Sequence, residues 1–243
     1  MVCEESISRA ENEKYILELR YDMYADNPFE FDEYYDFFKI IAFHKRYTIG
    51  YDHGYKTPED YLRSLLEDLY TEEYIDKTFD KLRSKHKKDQ PYVYYEDIIY
   101  TFKKLSDKYI FFDLYFLDHS VFYVSLHPFN DPWDSGMLGW VVVDKEKMKE
   151  FGIQKKDLEK EIESALEIYN DYLNGNVYGF VLKEKVPVLS DKPEHRGLYA
   201  ENEIESIYGI YGYKELKYYR DEFPDEAKPL FDEIINNLWN CCI

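Results

Sequence analysis

Cysteine is close to absent from this chain. Cys3, Cys241 and Cys242 include no Cys-x-x-Cys pair, which excludes a cysteine-built zinc site or disulfide framework and points to a reducing compartment. Apolar runs are short. Stretches such as 109–112 and 141–143 cover only a few residues, whereas a bilayer span takes about 20. The opening MVCEESISRAENEKY has no basic flank leading into an apolar run, so no signal peptide is expected and a cytoplasmic protein is. Positive charge is scarce: 31 Lys and Arg face 50 Asp and Glu, a formal charge of -19. That balance argues against direct contact with nucleic acid or an anionic membrane. GxGxxG, phosphate-loop, HExxH, GxSxG and EF-hand patterns are all missing, so no cofactor or metal is expected.

Aromatic residues are abundant instead. They make up 19% of the chain, with 27 Tyr and 16 Phe against 10 Gly and 9 Pro, a composition far from that of disordered chains. So many phenols cannot all be buried unless their hydroxyls find partners or water. Most tyrosines are therefore expected at the core rim, ring inward and hydroxyl outward. The acids are clustered: nine against two bases over 11–36, eight against two over 59–80, and six against one over 221–233. Opposing them is one basic run, Lys81, Arg83, Lys85, Lys87 and Lys88, expected as the last turn of a helix and a solvated loop.

Hydrophobic periodicity predicts strands at 15–21, 40–43, 109–117, 121–126, 137–143, 177–182 and 206–211. The strands at 109–117 and 121–126 are separated by Asp118, His119 and Ser120 and read as a hairpin at the centre of the sheet. Helices are expected after Thr57-Pro58, where Thr57 caps and Asp60 stands at the third position. Others are expected over 74–82, 95–105 and 155–173, and at the C-terminal Leu230, Phe231, Ile234 and Ile235. Paired short strands interrupted by helices predict an α+β fold with an antiparallel or mixed central sheet and amphipathic helices packed on it. A single domain over 1–243 is expected, with a weak boundary near 84–92.

Several blocks carry a resemblance. DNPFEFDEYYDFFKIIAFHKRYTIGYDHG (26–54), LYFLDHS (114–120), PFNDPWDSGMLGWVVVDKEKMKEFG (128–152), YLNGNVYGFVL (172–182) and ESIYGIYG (205–212) resemble a family of uncharacterised proteins of phages and related mobile elements. The chain departs from that family's pattern at three places. Phe29, Glu30 and Phe31 stand where the family has Arg-Glu-Trp, Met137 replaces a glutamine, and Ile207 and Tyr208 replace a cysteine and a tryptophan. The resemblance implies a phage or mobile-element context and no particular activity.

His119, between Asp118 and Ser120, is the most enzyme-like local feature. Neighbours on an extended chain point to opposite faces, so a working pair has to come from the following loop. Asp134 and Ser135 are the candidate partners for acid–base work, with His119, Asp134 and Ser135 as the catalytic set if the chain is an enzyme. In NDPWDSG the residues Asp131, Asp134, Gly136 and Gly139 also have turn and close-approach chemistry. Trp133 is expected to pin that loop to the core. A carboxylate-lined metal or ligand pocket with His127 and His119 is the functional alternative there. His44, Lys45 and Arg46 ahead of Asp52 and His53 suggest either an anion site or internal salt bridges.

The composition and the resemblance together favour a non-enzymatic acidic protein that binds another protein. The expected partner is a host or defence factor with a basic nucleic-acid-binding surface, which the chain would inhibit by occupying it. Asp32, Glu33, Asp36, Glu67, Asp68, Glu72 and Glu73 are the candidate contact residues. A hydrolase or nuclease centred on 118–136, or an acidic accessory protein without catalysis, stands as the alternative.

Overall fold

Alternating side chains place the strands, and helical stripes of apolar residues place what covers them. The computed structural model describes residues 6–31, 33–85, 95–189, 191–192 and 195–241. Its strands are β1 (Ser6–Glu11), β2 (Tyr15–Tyr21), β3 (Phe38–Ala42), β4 (Tyr109–Asp118), β5 (Phe122–Ser125), β6 (Ser135–Asp144), β7 (Val177–Pro187) and β8 (Tyr199–Tyr211). Its helices are α1 (Pro28–Phe31), α2 (Pro58–Glu67), α3 (Glu72–Lys85), α4 (Tyr95–Thr101), α5 (Lys103–Lys108), α6 (Lys145–Glu150), α7 (Leu158–Leu173) and α8 (Lys228–Cys241). The fold is α+β, with two antiparallel sheets ordered β1-β2-β7-β8 and β3-β6-β4-β5. None of the described helices is long and apolar enough to cross a membrane.

Contacts group the chain into a central unit, Phe29–Leu166, and a terminal unit made of residues up to Pro28 with those from Glu167 onward. Division thus falls at positions 28/29 and 166/167. The weak boundary expected near 84–92 lies within the central unit's range, and 86–92 lie outside the described residues.

In the terminal unit, Leu17 and Leu19 of β2 and Phe180 and Leu182 of β7 share a core with Leu230, Phe231 and Ile234 of α8. The opposite face of β2 carries Glu18, only 3% exposed. A lone buried carboxylate is very costly, and here it is met on three sides. Arg9 of β1 (3.1 Å), Arg20 (2.5 Å) and Lys183 of β7 (3.0 Å) all reach it. Glu201 of β8 closes the array by holding both Arg9 (2.8 Å) and Lys183 (2.9 Å). One ionic lattice therefore runs across all four strands.

In the central unit, Trp140 and Val142 of β6 and Ile41 of β3 pack with Leu62 and Leu66 of α2 and Phe79 of α3. Helix α2 starts as its sequence requires. Thr57 Oγ1 accepts from the Asp60 amide and the Asp60 carboxylate accepts from the Thr57 amide, both at 3.1 Å, a capping box with Pro58 in the first turn. Two expectations need correction. The single helix over 95–105 is broken at Phe102 (φ -91, ψ 80), where the buried ring packs edge-on to Tyr70 and against Phe79. The expected central hairpin has only β4 inside the sheet, because β3 joins through β6 and leaves β5 at the edge.

Gly136 and Gly139, expected in a loop, both lie in β6, and they differ. A Cβ on Gly139 would collide with the backbone carbonyl of Ile41, whose strand pairs here as Ala42 opposite Gly139. One on Gly136 would meet open space. Gly139→Ala should lower stability by about 1–3 kcal/mol, while Gly136→Ala should stay within about 0.5 kcal/mol of wild type; urea denaturation of both variants measures the contrast.

Burial pushes the Glu18 carboxyl up, but hydrogen bonds from Arg20 and Lys183 and their charges overcome it and hold the group below its ordinary value. A lowered carboxyl stabilises the fold above its unfolded pKa and loses that contribution as pH falls through the folded value. Glu18→Gln should cost about 3 kcal/mol at neutral pH. The gap from wild type should close as pH drops below 4.5, which denaturation at pH 7 and in acid will test.

Candidate functional site

Strand pairing brings the first candidates together. Leu117 near the end of β4 lies opposite Ser135 at the start of β6, and the Asp118 amide donates to the Asp134 carbonyl at 2.8 Å. Residues one step beyond are therefore neighbours. His119 Nδ1 and Asp134 Oδ2 lie 2.7 Å apart, both side chains substantially exposed. With Nδ1–H donating to the carboxylate, Nε2 is left to act as an acceptor or base.

Ser135 does not complete a triad. Its hydroxyl donates to the Asp131 carbonyl in a short contact, so the proton a nucleophilic serine would give to histidine is directed elsewhere. Asp131 also accepts the amides of Trp133 (2.9 Å) and Asp134 (3.1 Å). Those two amides hold its carboxyl below the ordinary range. The result is an Asx-type turn closed by its own polar groups.

That closure overturns the expected role of Trp133. The indole is 91% exposed and pins nothing to the core. Asp131 and Ser135 already fix the turn, so no ring has to be buried to hold it. A tryptophan on a self-closed loop was invisible in the sequence because Pro-Trp-Asp reads equally well as a buried anchor.

The expected pairing of His127 with His119 is also corrected. His127 follows β5 and turns to α7, where its Nε2 lies 3.3 Å from Glu163 and 3.6 Å from Glu159. Four residues apart, those glutamates share a helix face. Among the described residues this is the group whose donor atoms converge as a metal would need, all within 4.8 Å of one another. All three side chains are exposed, and an imidazole between two carboxylates forms ion pairs whenever it is protonated.

His44 and His53 support turns. His44 Nδ1 accepts the amides of Arg46 (3.3 Å) and Tyr47 (3.1 Å), and its ring stacks on Tyr47 at 5.0 Å. His53 engages the Ala42 carbonyl through Nε2 (2.8 Å) and the Tyr55 amide through Nδ1 (3.1 Å). His53 therefore has no nitrogen left for an anion or a metal.

Of the acidic contact candidates, Glu67, Asp68, Glu72 and Glu73 are exposed where α2 gives way to α3. Asp36 is paired with Lys147 at 3.5 Å. Asp32 and the side chain of Glu33 lie outside the described residues. Arg83 of the basic run engages Glu59 in a short contact and lies 3.7 Å from Asp80, within the last turns of α3 as expected. Two cavities of the central unit, of about 460 and 670 Å³, are lined by neither His119 nor Asp134.

Comparison with protein-family models, curated proteins and solved structures gave no match to this chain.

Trp133→Ala should leave the denaturation midpoint within about 0.5 kcal/mol of wild type, as for other exposed positions. Of the three tryptophans, Trp140 is buried and Trp239 partly exposed. The same variant should therefore lose most of the fluorescence that acrylamide quenches.

Proposed function

We propose that this chain is a non-catalytic acidic protein that binds another protein, and that the 131–135 loop is its principal contact. The observation carrying this reading is Trp133, exposed on a turn held by its own hydrogen bonds. Tryptophan is enriched among residues that dominate binding energy, and a fixed loop loses little entropy when it docks. Asp131 and Asp134 flank the indole, so the chemistry suits an arginine-rich surface. A guanidinium meets the ring face through cation–π attraction and the carboxylates through charge-assisted hydrogen bonds.

The net charge of -19 favours a basic partner and speeds encounter with it. Together with the resemblance to phage and mobile-element proteins, this supports a nucleic-acid-binding host or defence factor in the host cytoplasm, inhibited by occupation of its basic groove. A second reading, an acid–base enzyme activating water, is favoured by the 2.7 Å His119–Asp134 contact. Hydrolysis unaffected by His119→Gln removes it.

Immobilised protein exposed to host lysate, with Trp133→Ala alongside, tests the binding reading. Wild type should capture a basic protein that duplex DNA displaces and that rising salt releases. The variant should bind at least about tenfold more weakly, on the scale of a hot-spot residue. Equal capture by both proteins, or capture indifferent to DNA and salt, would reject it.

A further inference from the structure

Tyr178-Gly179-Phe180 and Ile207-Tyr208-Gly209 build a feature that the 131–135 loop does not involve. Register between β7 and β8 shifts between Tyr178 and Phe180, which lie opposite Ile210 and Ile207. Tyr208 and Gly209 form the resulting bulge, and Gly209 takes a left-handed φ of 76, a conformation that favours glycine. A Cβ on Gly179 would overlap the Tyr208 ring, so the ring lies over the glycine of the neighbouring strand. The bulge thereby re-aims a tyrosine at the end of the terminal sheet.

The turn after β2 comes across to meet it. Asp22 accepts the Tyr24 amide at Oδ1 and the Gly209 amide at Oδ2, both at 3.0 Å. Tyr211 donates its hydroxyl to the Asp26 carbonyl at 2.6 Å. Tyr21 stacks on Tyr178 at 5.4 Å. Between these segments lies an open cavity of about 510 Å³, lined by Tyr21, Tyr24, Tyr208, Tyr211, Asp22 and Asp26 among others.

We propose that this cavity is a binding site for an organic cation, an alkylated ammonium or a guanidinium. Its size falls within the range of small-ligand sites. Aromatic faces attract cations through their quadrupole, most strongly when carboxylates share the site and water is thinned. No lining residue is basic, so an anion meets only repulsion there. Burial, then the charges of Asp26 and Asp22, raise the Tyr211 phenol above its ordinary value. Tyr24, 83% exposed, lines the cavity with its amide held by Asp22. Asp22 is a positioning residue, because both its oxygens hold backbone amides, and Asp26 supplies charge to the ligand.

The cation has two possible sources, a free amine or a basic side chain of a peptide. Calorimetric titration of the full chain at millimolar ligand uses choline, its neutral isostere 3,3-dimethylbutanol, and tripeptides Gly-Arg-Gly and Gly-trimethyllysine-Gly. Choline or a tripeptide should bind saturably, with the isostere at least about tenfold weaker than choline. Tighter binding of a tripeptide assigns the site to a side chain; tighter binding of choline assigns it to a free amine. Tyr24→Ala and Asp26→Asn should each weaken binding about tenfold, and Gly179→Ala should weaken it by displacing Tyr208. Tyr100→Ala, at an exposed tyrosine of the central unit, should change nothing. Thermal unfolding of each variant confirms that it remains folded. Equal affinity for choline and its isostere, no saturable binding by any cation, or unchanged binding by both Tyr24→Ala and Asp26→Asn would overturn the proposal.

Discussion

A carboxylate inside a sheet is the constraint on which the terminal unit is arranged. Glu18 is buried where an apolar residue would be inexpensive, and it is tolerable only because Arg9, Arg20 and Lys183 converge on it. Such an array fixes register. Sliding β2 by one residue would turn Glu18 into the apolar face that holds Leu17 and Leu19, and would strand Arg9 and Lys183 on the other side. With register fixed, Tyr21 stands opposite Tyr178 and Arg20 opposite Gly179. The bulge at Tyr208 and Gly209 and the cavity beside it inherit their positions from that pairing.

The central unit solves a different problem, the burial of many aromatic rings with polar edges. Phenylalanine and tryptophan fill the interior around Trp140, whose neighbours Tyr61 and Tyr95 lie 6.4 and 5.1 Å away. Tyrosine hydroxyls are brought to partners at the margin: Tyr51 donates to the Phe29 carbonyl and Tyr95 to Asp113. Histidines serve the same margin. His44 and His53 accept loop amides that would otherwise lack partners. Polar chemistry is thus largely committed to closing turns, and the imidazole of His119 retains a free nitrogen because its own turn is closed by Asp131.

Much of this was legible in the residues. Alternation located β2 at its observed bounds, and Thr57-Pro58 marked the start of α2. The meeting of His119 with Asp134 followed from loops that flank paired strands. What failed depends on tertiary context. Phe102 belongs to a perfectly helical pattern and breaks it because its ring packs with Tyr70 and Phe79. Glu18 looked like the polar half of an alternating strand, since nothing local says that both faces of β2 are covered. Strand β1, SISRAE, is polar at most positions, so its signal lies in the pairing of Arg9 with Glu18 rather than in hydrophobicity.

The acidic composition also reads differently once pairing is known. Glu11 and Glu18 in the first acidic run, and Asp225 and Asp232 in the last, sit against arginine or lysine. Such pairs contribute little long-range field, because each behaves as a dipole beyond a few ångströms. The excess charge that reaches solvent therefore comes from groups such as Glu67, Asp68, Glu72 and Glu73, which the fold leaves exposed at one helix junction. On the proposed binding role, those groups would bring a basic partner near without specifying how it docks. Docking would need a desolvated contact, and in the central unit Trp133 is a large ring that folding leaves outside while fixing its backbone. If the proposed binding holds, steering and anchoring fall to different residues, and salt should weaken the first far more than the second.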